Sequence, residues 1–138
     1  MSKHASWHQV YDSHTHLNDG PFYDDVAAFI ARADHYGVTA MNIVGSNRQL
    51  NDRAIDLGHR YPNLHPIVGW HPEDLATFNA AEADHLKAQL GDPTVVGVGE
   101  IGLDYYNDQH SPHDQQWSLF EQQLQWAREL GLPVSIHC

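Results

Sequence analysis

The sequence predicts a parallel α/β protein. Three observations support this. Apolar runs and amphipathic stretches alternate strictly along the chain. Each strand-plus-helix unit takes about 25 to 35 residues. The residues able to do chemistry gather where the apolar runs end. Two architectures fit, an open doubly wound sheet and part of a (β/α)8 barrel. No glycine-rich phosphate fingerprint follows the first strand, which counts against a dinucleotide-binding sheet. A complete barrel needs about 250 residues, so these 138 supply little more than half of one.

The elements follow in order. Val10-Tyr11-Asp12-Ser13-His14 is expected as a first strand opening into a polar loop from Thr15 to Gly20. A helix follows, with Val26, Phe29, Ile30 and Ala33 on one face and Gly37 as its stop. Val38 to Gly45 is an apolar run with β-branched residues, as in a strand buried on both faces. Ser46 is placed to cap a second helix carrying Leu50, Ala54, Leu57 and Tyr61, which ends at Pro62. Leu64 to Trp70 is the third strand. Asn79 with Glu82 three residues later forms a capping box for a third helix ending at Gly91. Thr94 to Glu100 is the fourth strand, and Gly97 and Gly99 mark a close approach to its backbone. Ser111-Pro112 opens a long helix, with serine as N-cap and proline in the first turn. That helix is expected to bury Trp117, Phe120, Leu124 and Ala127 and to stop at Gly131. Pro133-Val134-Ser135-Ile136-His137 is the fifth strand. The only repeat is this strand–helix rhythm.

Composition narrows the class. Hydrophobic residues are 41% of the chain, enough for a packed interior. No run approaches the roughly 18 apolar residues of a membrane helix. Residues 1 to 8 lack the apolar stretch of a signal peptide, so a cytoplasmic location is expected, and the lone Cys138 agrees. The formal charge of −11 and the scatter of the seven lysines and arginines argue against a non-specific nucleic-acid-binding module. They argue less against an enzyme that meets its substrate through bound cations.

The twelve histidines are more telling, because some fall at strand ends. His14 and His16 lie two residues apart, so in an extended segment both project from one side and can grip one ion. Asp12 is placed to orient one of them. The bland alternative is a pair of solvated loop histidines. Glu100 ends an otherwise apolar strand, where a carboxylate is costly unless paired or metal-bound. Its alternative is a structural salt bridge. Asp104, four residues on, is a candidate general base or water-positioning group, and equally an ordinary turn aspartate. His71, between Trp70 and Pro72, is placed to ligate metal or to donate to a phosphate, unless local turn hydrogen bonds alone hold it. His137 ends the fifth strand as a candidate ligand or as a satisfied terminal histidine. The other histidines, His4, His8, His35, His59, His65, His85, His110 and His113, are expected at the surface. Mixed imidazole and carboxylate ligands suit zinc, manganese or iron, and a bridging carboxylate tolerates magnesium. A divalent ion there generates hydroxide from water at neutral pH, which points to metal-assisted hydrolysis.

Four blocks carry a resemblance: Asp12-Ser13-His14-Thr15-His16-Leu17, Gly69-Trp70-His71-Pro72, Gly99 through Tyr106, and Pro133 through His137. In that order, from about residue 10 to the last, they closely resemble the TatD family of metal-dependent deoxyribonucleases. The resemblance implies that residues 1–138 are the N-terminal part of one TIM barrel domain, cut after about strand five. It implies a two-metal phosphodiesterase using Mg, Mn or Zn, with a metal-hydroxide nucleophile. His14 and His16 would hold one ion, Glu100 would bridge both and His137 would join the second. His71 would steady a substrate phosphate, and Glu100, His71 and Asp104 form the expected catalytic set. Single-stranded DNA or RNA ends are the expected substrates, trimmed exonucleolytically. The family's further metal-binding histidine and aspartate, after strands six and eight, have no counterpart here. The chain as given is therefore expected to lack full activity and to self-associate through open sheet edges.

Two other classes stand beside this one. The same fold hydrolyses small esters, amides or lactones, but such relatives often carry a carboxylated lysine where Glu100 stands. A non-catalytic metal-binding fragment is the third.

Overall fold

The computed structural model describes residues 9–106 and 108–138. The amino-terminal segment, with His4 and His8, lies outside the described residues. Five strands form one sheet: β1 (Val10–Thr15), β2 (Val38–Val44), β3 (Leu64–Val68), β4 (Gly97–Gly102) and β5 (Val134–His137). Every pairing is parallel and the order is β1-β2-β3-β4-β5. A doubly wound sheet reverses its strand order at a switch point. This sheet never does. It is a curled half-barrel, which decides between the two architectures.

Between β1 and β2 lie α1 (Gly20–Asp24) and α2 (Val26–His35), two helices broken at Asp25 where one was expected. Then come α3 (Arg48–Arg60), a 3-10 helix (Pro72–Thr77), α4 (Ala80–Leu90) and α5 (His113–Leu130). Asn79 accepts a hydrogen bond from the Glu82 amide and caps α4, as expected. Asn47 rather than Ser46 caps α3, because its side chain reaches the Leu50 amide. Ser111 does not cap α5 either: its hydroxyl is buried and donates to the Pro72 carbonyl, and Pro112 takes the N-cap position.

The core lies between the sheet and its outer helices. Ile43, Val68, Val98 and Ile101 from the strands meet Leu57, Leu86 and Ala127 from the helices. The centre of the sheet is sealed, whereas β1 and β5 are exposed along most of their length. Val10, Tyr11, Val134 and Ile136 stand at these open edges. No helix of the described residues is long and apolar enough to cross a membrane.

One expectation fails by a single residue. Helix α5 buries Gln116, Leu119, Gln123, Trp126 and Ala127, while Trp117 is 46% exposed. The inward stripe keeps helical spacing but leads with glutamines, so an apolar pattern places it one position late, about 100° round the helix. Phe120 and Leu124 pack only at the margin of the core.

The glycines of the third and fourth strands have a steric reason. A Cβ on Gly69 would lie 2.8 Å from the backbone carbonyl of Gly99, and one on Gly99 would lie 2.7 Å from the Ser135 Cβ. Backbone cannot yield as a flexible side chain can. Gly69→Ala is expected to destabilise the fold by about 2 kcal/mol or more, measured by urea unfolding.

Candidate metal centre

The sequence brings its candidate ligands to the C-terminal ends of the strands, and the registers show how they are aimed. Between β4 and β5, Gly99 pairs with Ser135 and Ile101 with Ile136, so Glu100 is an extra, unopposed residue. Between β1 and β2, Asp12 pairs with Met41 and Thr15 with Ile43, which leaves an extra residue in the Ser13-His14 step. Such bulges re-aim side chains. Both fall at candidate ligands. The Glu100 amide is fixed by the Gly45 carbonyl at 2.9 Å, and the Gly99–Glu100 peptide is cis.

Two clusters result, and they share one residue. His14, His16 and Glu100 form one, and His71, Glu100 and His137 the other. In each, the candidate ligand atoms lie within 4.8 Å of one another. Glu100 Oε2 is 3.5 Å from His14 Nε2, and Oε1 is 3.0 Å from His137 Nδ1. Each carboxylate oxygen therefore faces its own histidine. The His14 and His16 rings sit edge to face at 4.9 Å. The Asp12 carboxylate accepts from the His14 backbone amide at 3.1 Å, so it holds the backbone rather than the ring.

Proton accounting separates the roles of His71 and His137. His71 Nδ1 accepts from the Glu73 amide at 3.1 Å, which leaves the ring proton on Nε2 as a donor. That N–H points at His137 Nδ1, 3.1 Å away. His137 Nε2 lies 3.0 Å from Asp104 Oδ2, whose side chain is only 9% exposed. If His137 is protonated on both nitrogens, its Nδ1–H abuts the His71 N–H. If Nδ1 is bare, its lone pair abuts the Glu100 carboxylate. No assignment of protons satisfies all three groups. A cation held between a bare His137 Nδ1 and Glu100 relieves that pair and leaves the His71 N–H to another acceptor, so the donor set fits a metal. The arrangement also makes His137 Nε2–H···Asp104 the outer carboxylate–histidine pair common around metal ligands. His71, by the same accounting, is a hydrogen-bond donor to whatever lies beside the cation. The local turn bond expected as its bland alternative is present, and it is what sets the donor.

The electrostatics agree. Burial and the neighbouring His137 hold His71 below the usual imidazole range, so it stays neutral. Burial also pulls His137 down, but hydrogen bonds to Glu100 and Asp104 and their charges outweigh it and raise the imidazole overall. The pocket is built to hold positive charge.

The sequence reading missed the groups that fix this frame, a set of buried side-chain amides. Gln123 accepts from the Trp70 amide at 2.7 Å and donates to the Trp70 carbonyl at 3.1 Å, one residue before His71. Gln116 accepts from the Asp104 amide at 2.8 Å and donates to its carbonyl at 2.9 Å. Asn51 clamps both backbone groups of Gly69, and Asn18 donates to the Val44 carbonyl. The available sign was the seven-residue spacing of Gln116 and Gln123, which puts both on one helix face. Three of the other histidines pair with carboxylates away from the centre: His59 with Asp92, His85 with Asp52 and His113 with Asp108.

Two outcomes follow. Asp104→Asn in the full-length protein is expected to weaken Mn2+ binding about 10- to 100-fold by titration calorimetry. Gln123→Leu, which strands the buried amide and carbonyl of Trp70, is expected to cost about 2 to 4 kcal/mol in urea unfolding.

Comparison with known proteins bears on the same residues. A family model described as TatD related DNase matches residues 11–138. A metal-dependent hydrolase of Bacillus subtilis, YabD, is 34% identical over 93% of this chain and 50% of its own length. A 3′-5′ ssDNA/RNA exonuclease TatD of Edwardsiella piscicida is 37% identical over 94% of this chain and 50% of its own. The crystal structure of YJJV, a TatD homologue from Escherichia coli, superposes with a TM-score of 0.86 at 31% identity, covering 92% of this chain and 49% of that one. A TatD family hydrolase from Entamoeba histolytica gives 0.84 at 25% identity, over 95% and 50%. The chain spans about half the length of the relatives it matches. The shared segment begins one residue before Asp12 and includes both clusters and the bulged strands that present them, and on that ground the chain belongs to the TatD related DNase family.

Proposed function

We propose that the protein carrying this chain is a metal-dependent phosphodiesterase acting on single-stranded DNA or RNA ends. The observation that supports it is the sharing of Glu100 between two histidine clusters, one carboxylate oxygen to each. That arrangement is what a two-cation site requires. His14 and His16 would hold the first ion and His137 the second, with Glu100 serving as a ligand to both. The imidazole share of the donor set favours Mn or Zn over Mg. Bound divalent ions supply two things, a lowered pKa for coordinated water and charge neutralisation at the phosphoryl oxygens.

The chain's own residues do the rest. His71 Nε2–H is held pointing into the centre by the Glu73 amide and donates to a phosphate oxygen there. Asp104 fixes the His137 ring through Nε2 and so acts on the reaction through that ring. Gln116 and Gln123 hold the backbones of Asp104 and Trp70 against displacement. The small-ester or amide reading has no observation of its own here. A non-catalytic role for the isolated chain keeps one, the exposed β1 and β5 edges, which are open to association.

Glu100→Gln in the full-length protein is expected to lower hydrolysis of a single-stranded oligonucleotide at least about 100-fold, with metal stoichiometry by mass spectrometry falling from two. Retention of both ions and of turnover would reject the shared-ligand assignment. The isolated 138 residues are expected to sediment as oligomers and to cut the same strand far more slowly than the full-length protein.

A further inference from the structure

We propose that Tyr106 is a base-stacking subsite for single-stranded nucleic acid at the rim of the metal centre, an inference that rests on the phosphodiesterase reading and adds how the strand is gripped. After β4 ends at Gly102 the chain passes over the mouth of the sheet, and nearly every group in that passage is tied down. Asp104 is clamped at both backbone atoms by Gln116 and touches His137 through its carboxylate. Tyr105 stacks on His113 at 3.6 Å between ring centroids and nearly parallel, and its hydroxyl accepts from Trp117 Nε1 at 2.8 Å. The backbone amide of Tyr106 is itself fixed, donating to Asp104 Oδ1 at 3.0 Å. Its side chain is 93% exposed. The ring thus stands on an anchored backbone with both faces in water.

Its surroundings make it more than a stray surface aromatic. Tyr106 lines one hollow with Asp104, His137 and Glu73, and a second with Gln109 and His110. Glu73 and Tyr106 line both, so the ring stands where the two hollows meet. Leaving a tyrosine in water forgoes burial worth about 2 kcal/mol, so folding gives no reason for it here. Charge selects the ligand. Among the described residues, no lysine or arginine lines either hollow, and Glu73 and Asp104 are acidic. A strand held there by phosphate contacts would be repelled wherever a cation is absent. A nucleobase presents an uncharged π-face, and stacking on an aromatic ring is worth about 1–3 kcal/mol whatever the base. Tyr106 grips the base, leaving the phosphate to the ions and His71.

The test uses the full-length protein with a chelator present, so that no strand is cut. Fluorescence anisotropy gives the affinity for a short labelled oligothymidylate and for a base-free strand of equal length. In Tyr106→Ala the ratio of the two affinities is expected to fall about tenfold, equivalent to about 1.4 kcal/mol. Tyr106→Trp is expected to restore it, and Tyr36→Ala, an exposed tyrosine at the opposite end of the sheet, to leave it unchanged. Affinity is expected to change only about threefold between 50 and 200 mM salt. A ratio unmoved by Tyr106→Ala, a loss equal for both strands, or no binding by the unmodified protein overturns the subsite. Cleavage in metal is scored separately. Cutting with a Tyr106-independent ratio overturns the subsite and spares the nuclease reading, and a Tyr106-dependent ratio without cutting does the reverse.

Discussion

Placing a carboxylate at the tip of a sealed strand governs the rest of this molecule. Gly97, Val98, Gly99 and Ile101 are buried around Glu100, whose own side chain is only 16% exposed. An ionised group in such a position costs several kcal/mol unless charge and hydrogen bonds meet it. The fold meets it from two sides, with His14 from β1 and His137 from β5, while the Gly45 carbonyl just beyond β2 holds the Glu100 backbone amide. Bringing β1 and β5 within reach of a β4 residue requires a sheet that curls. The glycine contacts at Gly69 and Gly99 allow the strand ends to close up enough to do so.

Holding that arrangement falls to neutral amides. Gln116, Gln123 and Asn51 are buried, and each both accepts from and donates to the backbone of one residue just beyond a strand end. Backbone leaving a strand loses its ladder partners, and an interior offers no water to replace them. An amide donates and accepts at once, so one side chain satisfies both groups of a residue. It does so without adding charge to a centre already carrying Glu100 and Asp104. The site is rigid where loops are commonly loose, because its loops are pinned from behind by helices.

The charge of the chain fits the same logic. The chain carries −11 overall, and Arg48 and Arg60 are occupied by carboxylates. Any attraction for a polyanion would then fall to bound cations and to uncharged contacts.

The sequence by itself determined the class of fold, the five strands and the place of nearly every candidate ligand. It could do so because parallel strands buried on both faces read as apolar runs, and their ends are where polar residues reappear. Within that frame, His14, His16, Glu100 and His137 were visible as candidate ligands, and Asn79 as a cap, because each rests on short-range spacing. Tertiary structure alone decided three things. It set the strand order, since pairing between distant segments leaves no local pattern. It set the phase of α5, since Gln116 and Gln123 are buried only because Asp104 and Trp70 present unpaired backbone to them. And it set which ring nitrogens of His71 and His137 face each other, because that contact joins residues 66 positions apart in the chain.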